Sequence, residues 1–115
     1  MKFLGIDIGG TKCAVSVGDE NGKILKKEVT ATATVNETLN WIAETAYKLN
    51  DDCKAVGISC GGPLDSKNGV ILSPPNLPGW DKIEIVKFLQ EKLSIPAYLC
   101  NDANACAFAE WKFVV

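Results

Sequence analysis

The stretch "FLGIDIGGTKCAVSV", residues 3–17, decides how the rest of the chain is read. Phe3, Leu4, Ile6 and Ile8 form a nearly continuous apolar run with a β-branched bias, the pattern of a strand buried on both faces. Gly9 and Gly10 then predict a tight turn, and Cys13 to Val17 a second strand returning beside the first. Gly5 and Gly10, with four residues between them, invite a P-loop reading. It fails on two counts: Thr11-Lys12 stands where Lys-Ser/Thr is needed, and the segment leads into a strand where a P-loop opens a helix. The dinucleotide pattern G-x-G-x-x-G is missing as well. What remains is a hairpin whose glycines let backbone N–H groups of Gly9, Gly10 and Thr11, with the Thr11 hydroxyl, approach phosphate oxygens. Asp7, in an otherwise apolar strand, would hold Mg²⁺ through water. An ordinary hairpin with Asp7 capping backbone amides explains the same residues. The cost of an unpaired carboxylate inside a buried strand weighs towards a role for Asp7.

Working outward, "DENG" (19–22) is a hairpin turn, and Lys23 to Ala33 is a third strand whose Lys26, Lys27 and Glu28 protect a sheet edge. Thr34 with Glu37 makes a capping box, and Leu39, Ile42, Ala43, Ala46 and Leu49 recur on one helical face. Lys54 to Cys60 is a short apolar strand. Residues 61–80 are a Gly/Pro-rich excursion with a small hairpin around Val70 to Leu72, long enough to suggest function. Asp81 with Glu84 reads as a second cap, before a helix with Ile85, Val86, Leu89 and Leu93 buried that Pro96 terminates. Ala97 to Cys100 is a last strand and Ala103 to Trp111 a last helix. A meander followed by strands that arrive through helical crossovers gives an α/β fold, a mixed sheet with helices on its faces. That is the ribonuclease H-like plan of one lobe of the actin-like ATPase group.

At 115 residues the chain is one domain, with a core large enough to need no disulfide. Twelve basic and fourteen acidic residues are spread along it, so no basic stripe suggests nucleic acid. The five cysteines are scattered without a C-x-x-C pair and histidine is absent, which argues against zinc or a disulfide framework and for buried thiols. No run approaches the roughly 18 apolar residues of a membrane span, and the start is unlike a secretory signal. The expectation is a cytoplasmic protein with neither membrane nor nucleic-acid partner.

Four stretches, "GIDIGGTK" (5–12), "GISCGGPLD" (57–65), "PPNLPGW" (74–80) and "NDANACAFAEW" (101–111), resemble in order and spacing the amino-terminal lobe of the ROK proteins (repressor, open reading frame, kinase). The resemblance covers essentially the whole chain to about Lys112. It implies a two-lobed, actin-like ATP-dependent sugar kinase, glucokinase-like by preference, with the hexose bound between lobes and ATP and Mg²⁺ as cofactors. By that resemblance Asp102 is the catalytic base and Asn101 a ligand of sugar hydroxyls. Independently, a carboxylate at the carboxyl end of a strand can accept the proton of an attacking hydroxyl. A helix N-cap at Asp102 reads the same residues, and the two roles can coexist. Gly61 and Gly62 match the family's sugar-side loop, and Asn76 resembles a residue of its sugar-proximal loop. An amide suits a sugar because it both donates and accepts, although an asparagine turn explains Asn76 equally well. Trp80 is expected to anchor that loop, Trp41 and Trp111 to pack, and Cys60 and Cys106 to be packing thiols.

The chain departs from the family after Trp111, where "KFVV" replaces a glycine-rich segment and the second lobe, with its adenosine motifs, sugar-binding Glu and His and zinc site, does not follow. The expectation is a carboxy-terminal lobe absent and a chain inactive alone, because in-line transfer needs both substrates held. An apolar last helix left uncovered predicts self-association, a homodimer at its mildest. Two other readings stand beside the kinase lobe: the sugar-sensing lobe of a ROK transcriptional regulator, disfavoured because the first strand begins at residue 2, and a noncatalytic remnant.

Overall fold

The computed structural model describes residues 1–61, 63–65 and 67–100. Seven strands and two helices are described: β1 Lys2–Ile8, β2 Lys12–Asp19, β3 Ile24–Ala31, α1 Val35–Leu49, β4 Val56–Cys60, β5 Leu64–Asp65, β6 Val70–Ile71, α2 Ile85–Leu93 and β7 Ala97–Cys100. The main sheet runs β3-β2-β1-β4-β7. The pairs β1–β2 and β2–β3 are antiparallel, and β4 and β7 join in parallel. This is the mixed, ribonuclease H-like order expected, with β1 central and the lysine-bearing β3 at the edge. The helix expected over 103–111 lies outside the described residues, as do Trp111 and Cys106.

The core follows from alternation, since residues paired across neighbouring strands share a face. Val15, Ile6, Ile58 and Leu99 line up across β2, β1, β4 and β7, and Val17, Leu4, Val56 and Ala97 form the next row. All eight are buried together with Ile42, Ala46 and Leu49 of α1 and Ile85, Leu89 and Leu93 of α2. Each fully buried aliphatic side chain contributes about 1.5–3 kcal/mol. Both helices therefore pack on this face. Thr34 caps α1 as its sequence predicts, its hydroxyl accepting the Glu37 N–H at 3.3 Å. The Thr38 hydroxyl accepts the Ala33 N–H at 3.0 Å, fixing the entry into the helix from the other side.

The second cap departs from expectation. Residue 84 is the N-cap of α2 and makes no side-chain cap bond. Ile83 exchanges backbone hydrogen bonds with Ile71 at 2.9 and 3.0 Å, extending the β5–β6 hairpin, so residues before 84 are held extended. Asp81 accepts instead from the Ser73 hydroxyl across the loop.

Candidate functional site

The parallel arrangement brings the carboxyl ends of β1 and β4 to one edge, since Ile8 pairs with Cys60. Ligands of open α/β sheets bind at such edges, because loops leaving the strands there can diverge around a crevice. A crevice of about 360 Å³ opens here, lined by Asp7, Gly9, Gly10, Thr11, Lys12, Lys27 and Gly61 among others.

Its first wall is the hairpin between β1 and β2. The Gly9 N–H, expected to approach phosphate, instead donates to the Lys12 carbonyl at 3.1 Å, closing the turn and leaving Gly10 and Thr11 at its exposed tip, and the Thr32 N–H donates to the Thr11 carbonyl at 2.9 Å. The Thr32 hydroxyl donates to the Gly9 carbonyl at 2.6 Å and sits 3.2 Å from Cys13 Sγ. Gly9 is needed for space, since a Cβ there would lie 2.9 Å from the Lys12 carbonyl oxygen. Like the tip of the turn, Asp7 is exposed, although its strand is buried. The inference from a costly buried carboxylate is therefore corrected: this face of β1 opens into the crevice at Asp7, and its side chain meets solvent there. Among the described residues lining the crevice Asp7 is the one carboxylate, and one accessible carboxylate fits Mg²⁺, which keeps several waters and takes one or two protein carboxylates.

The second wall is the end of β4. Cys60 is buried, and burial, with the nearby Cys13 thiol adding to it, pushes its thiol up to about 11. Cys60 thus behaves as the packing thiol expected. Gly61 follows it at the surface, and Gly62 lies outside the described residues.

The loop of residues 73–81 lies beside these two walls, near Gly10 and Gly61, without lining the crevice itself. Trp80, 1% exposed, and Leu77, 2% exposed, anchor it in the core, which confirms the packing role expected of Trp80. The loop is closed by the Ser73 N–H to the Trp80 carbonyl (3.0 Å), the Leu77 N–H to the Pro74 carbonyl (3.0 Å) and the Trp80 N–H to the Leu77 carbonyl (3.2 Å). Asn76 is held out at its tip and packs against both walls. A Cβ on Gly10 would lie 2.5 Å from the Asn76 carbonyl oxygen and 3.1 Å from Nδ2, and one on Gly61 would lie 3.7 Å from Oδ1. Gly10, Gly61 and Asn76, far apart in sequence, are thus brought together. Asn101 and Asp102 lie outside the described residues.

Two residues of this region escaped the sequence reading. Thr32 braces the turn from 23 positions away, and no local pattern announces it. Lys27 read only as edge protection, yet it lines the crevice.

Comparison with known proteins agrees with this fold. The family model described as "ROK family" matches residues 3–114. A glucokinase of Thermotoga maritima is 36% identical over 115 residues, covering 96% of this chain and 36% of the relative. A fructokinase of Lactococcus lactis subsp. cremoris is 38% identical over 112 residues, covering 93% of this chain and 38% of the relative. The crystal structure of a ROK family glucokinase from Streptomyces griseus, in complex with glucose and AMPPNP, matches with a TM-score of 0.80 and 33% identity, over 100% of this chain and 38% of that one. The chain spans little more than a third of the length of these relatives. Because the family model runs nearly end to end, over residues 3–114, this chain belongs to the ROK family.

Proposed function

We propose that the chain forms half of the active site of an ATP-dependent hexose kinase, glucokinase-like, the half that receives the phosphate tail of ATP and one side of the sugar. The observation that carries this is Asn76 packed between Gly10 and Gly61, so that a phosphate-side turn and a sugar-side loop share one crevice. The Gly9–Thr11 turn approaches phosphate oxygens, and Asp7 holds Mg²⁺ through water, an ion that neutralises charge on the phosphates when bound. Gly61, Gly62, Asn76 and Asn101 contact sugar hydroxyls. Asp102 accepts the proton of the attacking hydroxyl and orients it, positioning mattering most in a loose transition state. Ser59 pairs with Cys100, which supports this assignment, because the chain leaves β7 at the sheet edge that carries Gly61. The sugar is a hexose of unassigned identity, since a glucokinase and a fructokinase are similar to the chain to nearly the same degree.

The test is a coupled assay for ADP formation with the purified 115-residue chain, glucose or fructose, and Mg·ATP, run beside calorimetry for each ligand. A half-site binds ligand without turnover, because in-line transfer needs both substrates fixed. Hexose-dependent ADP formation by the chain alone contradicts the half-site reading. Hexose binding with no nucleotide binding favours the sensing role of a ROK regulator, and no binding at all leaves a noncatalytic fold.

A further inference from the structure

Two cations line the crevice: Lys12, where β2 leaves the hairpin turn, and Lys27, on the edge strand β3. In the β3–β2–β1 register, Lys27 pairs with Ser16 and Ser16 with Gly5, while Val29 pairs with Ala14 and Ala14 with Asp7. Paired residues share a face, so Lys27 stands on the face of Asp7, one row away. Among the described residues, the β2 side chains on that face between Lys27 and Asp7 are Ser16, which is buried, and Ala14, which is half-buried, over two strand spacings of about 5 Å each. Both side chains are small, and the flexible four-carbon stem of a lysine is long enough to pass over them towards Ala14, which lines the crevice. Lys27 is exposed and lines the crevice with Asp7, Gly10 and Thr11.

Its neighbours on β3 are engaged elsewhere. Glu28 pairs with Lys48 at 2.8 Å. Lys26 pairs with Val17 and so points to the opposite face, where the Asp51 carboxyl, held low first by its hydrogen bond and charge pairing with Lys2, is lowered further by the Lys26 charge. Among the described residues Lys27 takes part in no ion pair. Edge protection accounts for charge on β3, yet a lysine on either face would provide it.

We propose that Lys27 contacts the polyphosphate tail of a magnesium nucleotide seated at the Gly9–Thr11 turn, reaching across Ala14 and Ser16 as a mobile point charge. The proposal rests on the half-site reading above. The Asp7 carboxylate repels phosphate oxygens in the absence of a metal ion, and a cation arriving from the edge strand offsets that repulsion.

The test is calorimetric titration of the 115-residue chain with Mg·ATP at two salt concentrations, with folding checked by circular dichroism. Lys27→Gln is expected to weaken binding about tenfold and to flatten its salt dependence, Lys27→Arg to stay within about threefold, and Lys26→Gln to match the unaltered chain. Unchanged affinity in Lys27→Gln overturns the proposal and leaves the half-site reading standing. Equal losses in Lys26→Gln and Lys27→Gln overturn it as well, because they indicate a diffuse field. No Mg·ATP binding by the unaltered chain overturns both this proposal and the nucleotide half of the reading.

Discussion

Gly10→Ala tests the contact that joins the β1–β2 turn to the loop of residues 73–81. The added Cβ would meet the Asn76 carbonyl oxygen at 2.5 Å, Asn76 Cβ at 3.0 Å and Nδ2 at 3.1 Å. The first of these is about 0.9 Å short of ordinary contact, and it is made to backbone, which has no alternative rotamer. Either the turn or the 73–81 loop must move, and the loop is fixed at its base by buried Leu77 and Trp80. Overpacking of this kind costs about 1–3 kcal/mol. In a domain near 100 residues each kcal/mol lowers Tm by about 4–8 °C, so a drop on the order of 5–20 °C is expected in scanning calorimetry. Gly61→Ala is the internal control: its Cβ would lie 3.7 and 3.9 Å from the Asn76 amide atoms, and Tm should change by no more than about 2 °C. Asn76→Ala removes Nδ2 and leaves the carbonyl, so it should not rescue Gly10→Ala in a double-mutant cycle. A Gly10→Ala chain with unaltered Tm and an unshifted Asn76 amide resonance would refute the reasoning.

Thr32→Val removes the hydroxyl that donates to the Gly9 carbonyl at 2.6 Å while keeping the side chain's shape. It should lower stability by about 1 kcal/mol in urea denaturation and speed amide exchange at Gly9 to Lys12; unchanged exchange there would show that Thr32 does not brace the turn. Cys60, with its thiol pushed up to about 11 from an ordinary 9.0 by burial, favours the folded state while protonated. That contribution is complete below pH 9.0 and is lost as pH rises through about 11, so stability should fall across this window, and Cys60→Ala should flatten the fall. At pH 8 iodoacetamide should label Cys60 far more slowly in the native than in the denatured chain, and equal rates would contradict its burial.

The parts of the fold set by short-range pattern were legible in the sequence. The apolar run from Phe3 to Ile8 gave a central strand, the charges of β3 an edge, Thr34 a helix cap, and the segment around Val70 a hairpin. The start of α2 was not legible, because a non-local pairing of Ile83 with Ile71 overrides the local cap signal at Asp81. The candidate site shows the same division. Each motif could be named from its own residues, but the packing of Gly10 against Asn76 joins positions 66 residues apart, and nothing in either segment encodes it alone. Asp7 was placed on the correct strand and given the wrong environment, since alternation tells which face a side chain takes and not whether that face is covered. Lys27 was read through its strand, where its charge has a sufficient local explanation. Its second role depends on the small size of Ala14 and Ser16 across the register, which becomes visible only once the strands are paired.

The central claim is that the Gly9–Thr11 turn, Gly61 and Asn76 form one ligand-binding half-site, and amide NMR of the 115-residue chain tests it directly. Mg·ATP should give saturable shifts at Gly10 and Thr11, carried on to Asn76 through its contact with Gly10, and a hexose should then shift Gly61 and Asn76. Shifts confined to another surface, such as the groove of Asn40, Tyr47 and Lys92 between the two helices, or no saturable shift with either ligand, would contradict it.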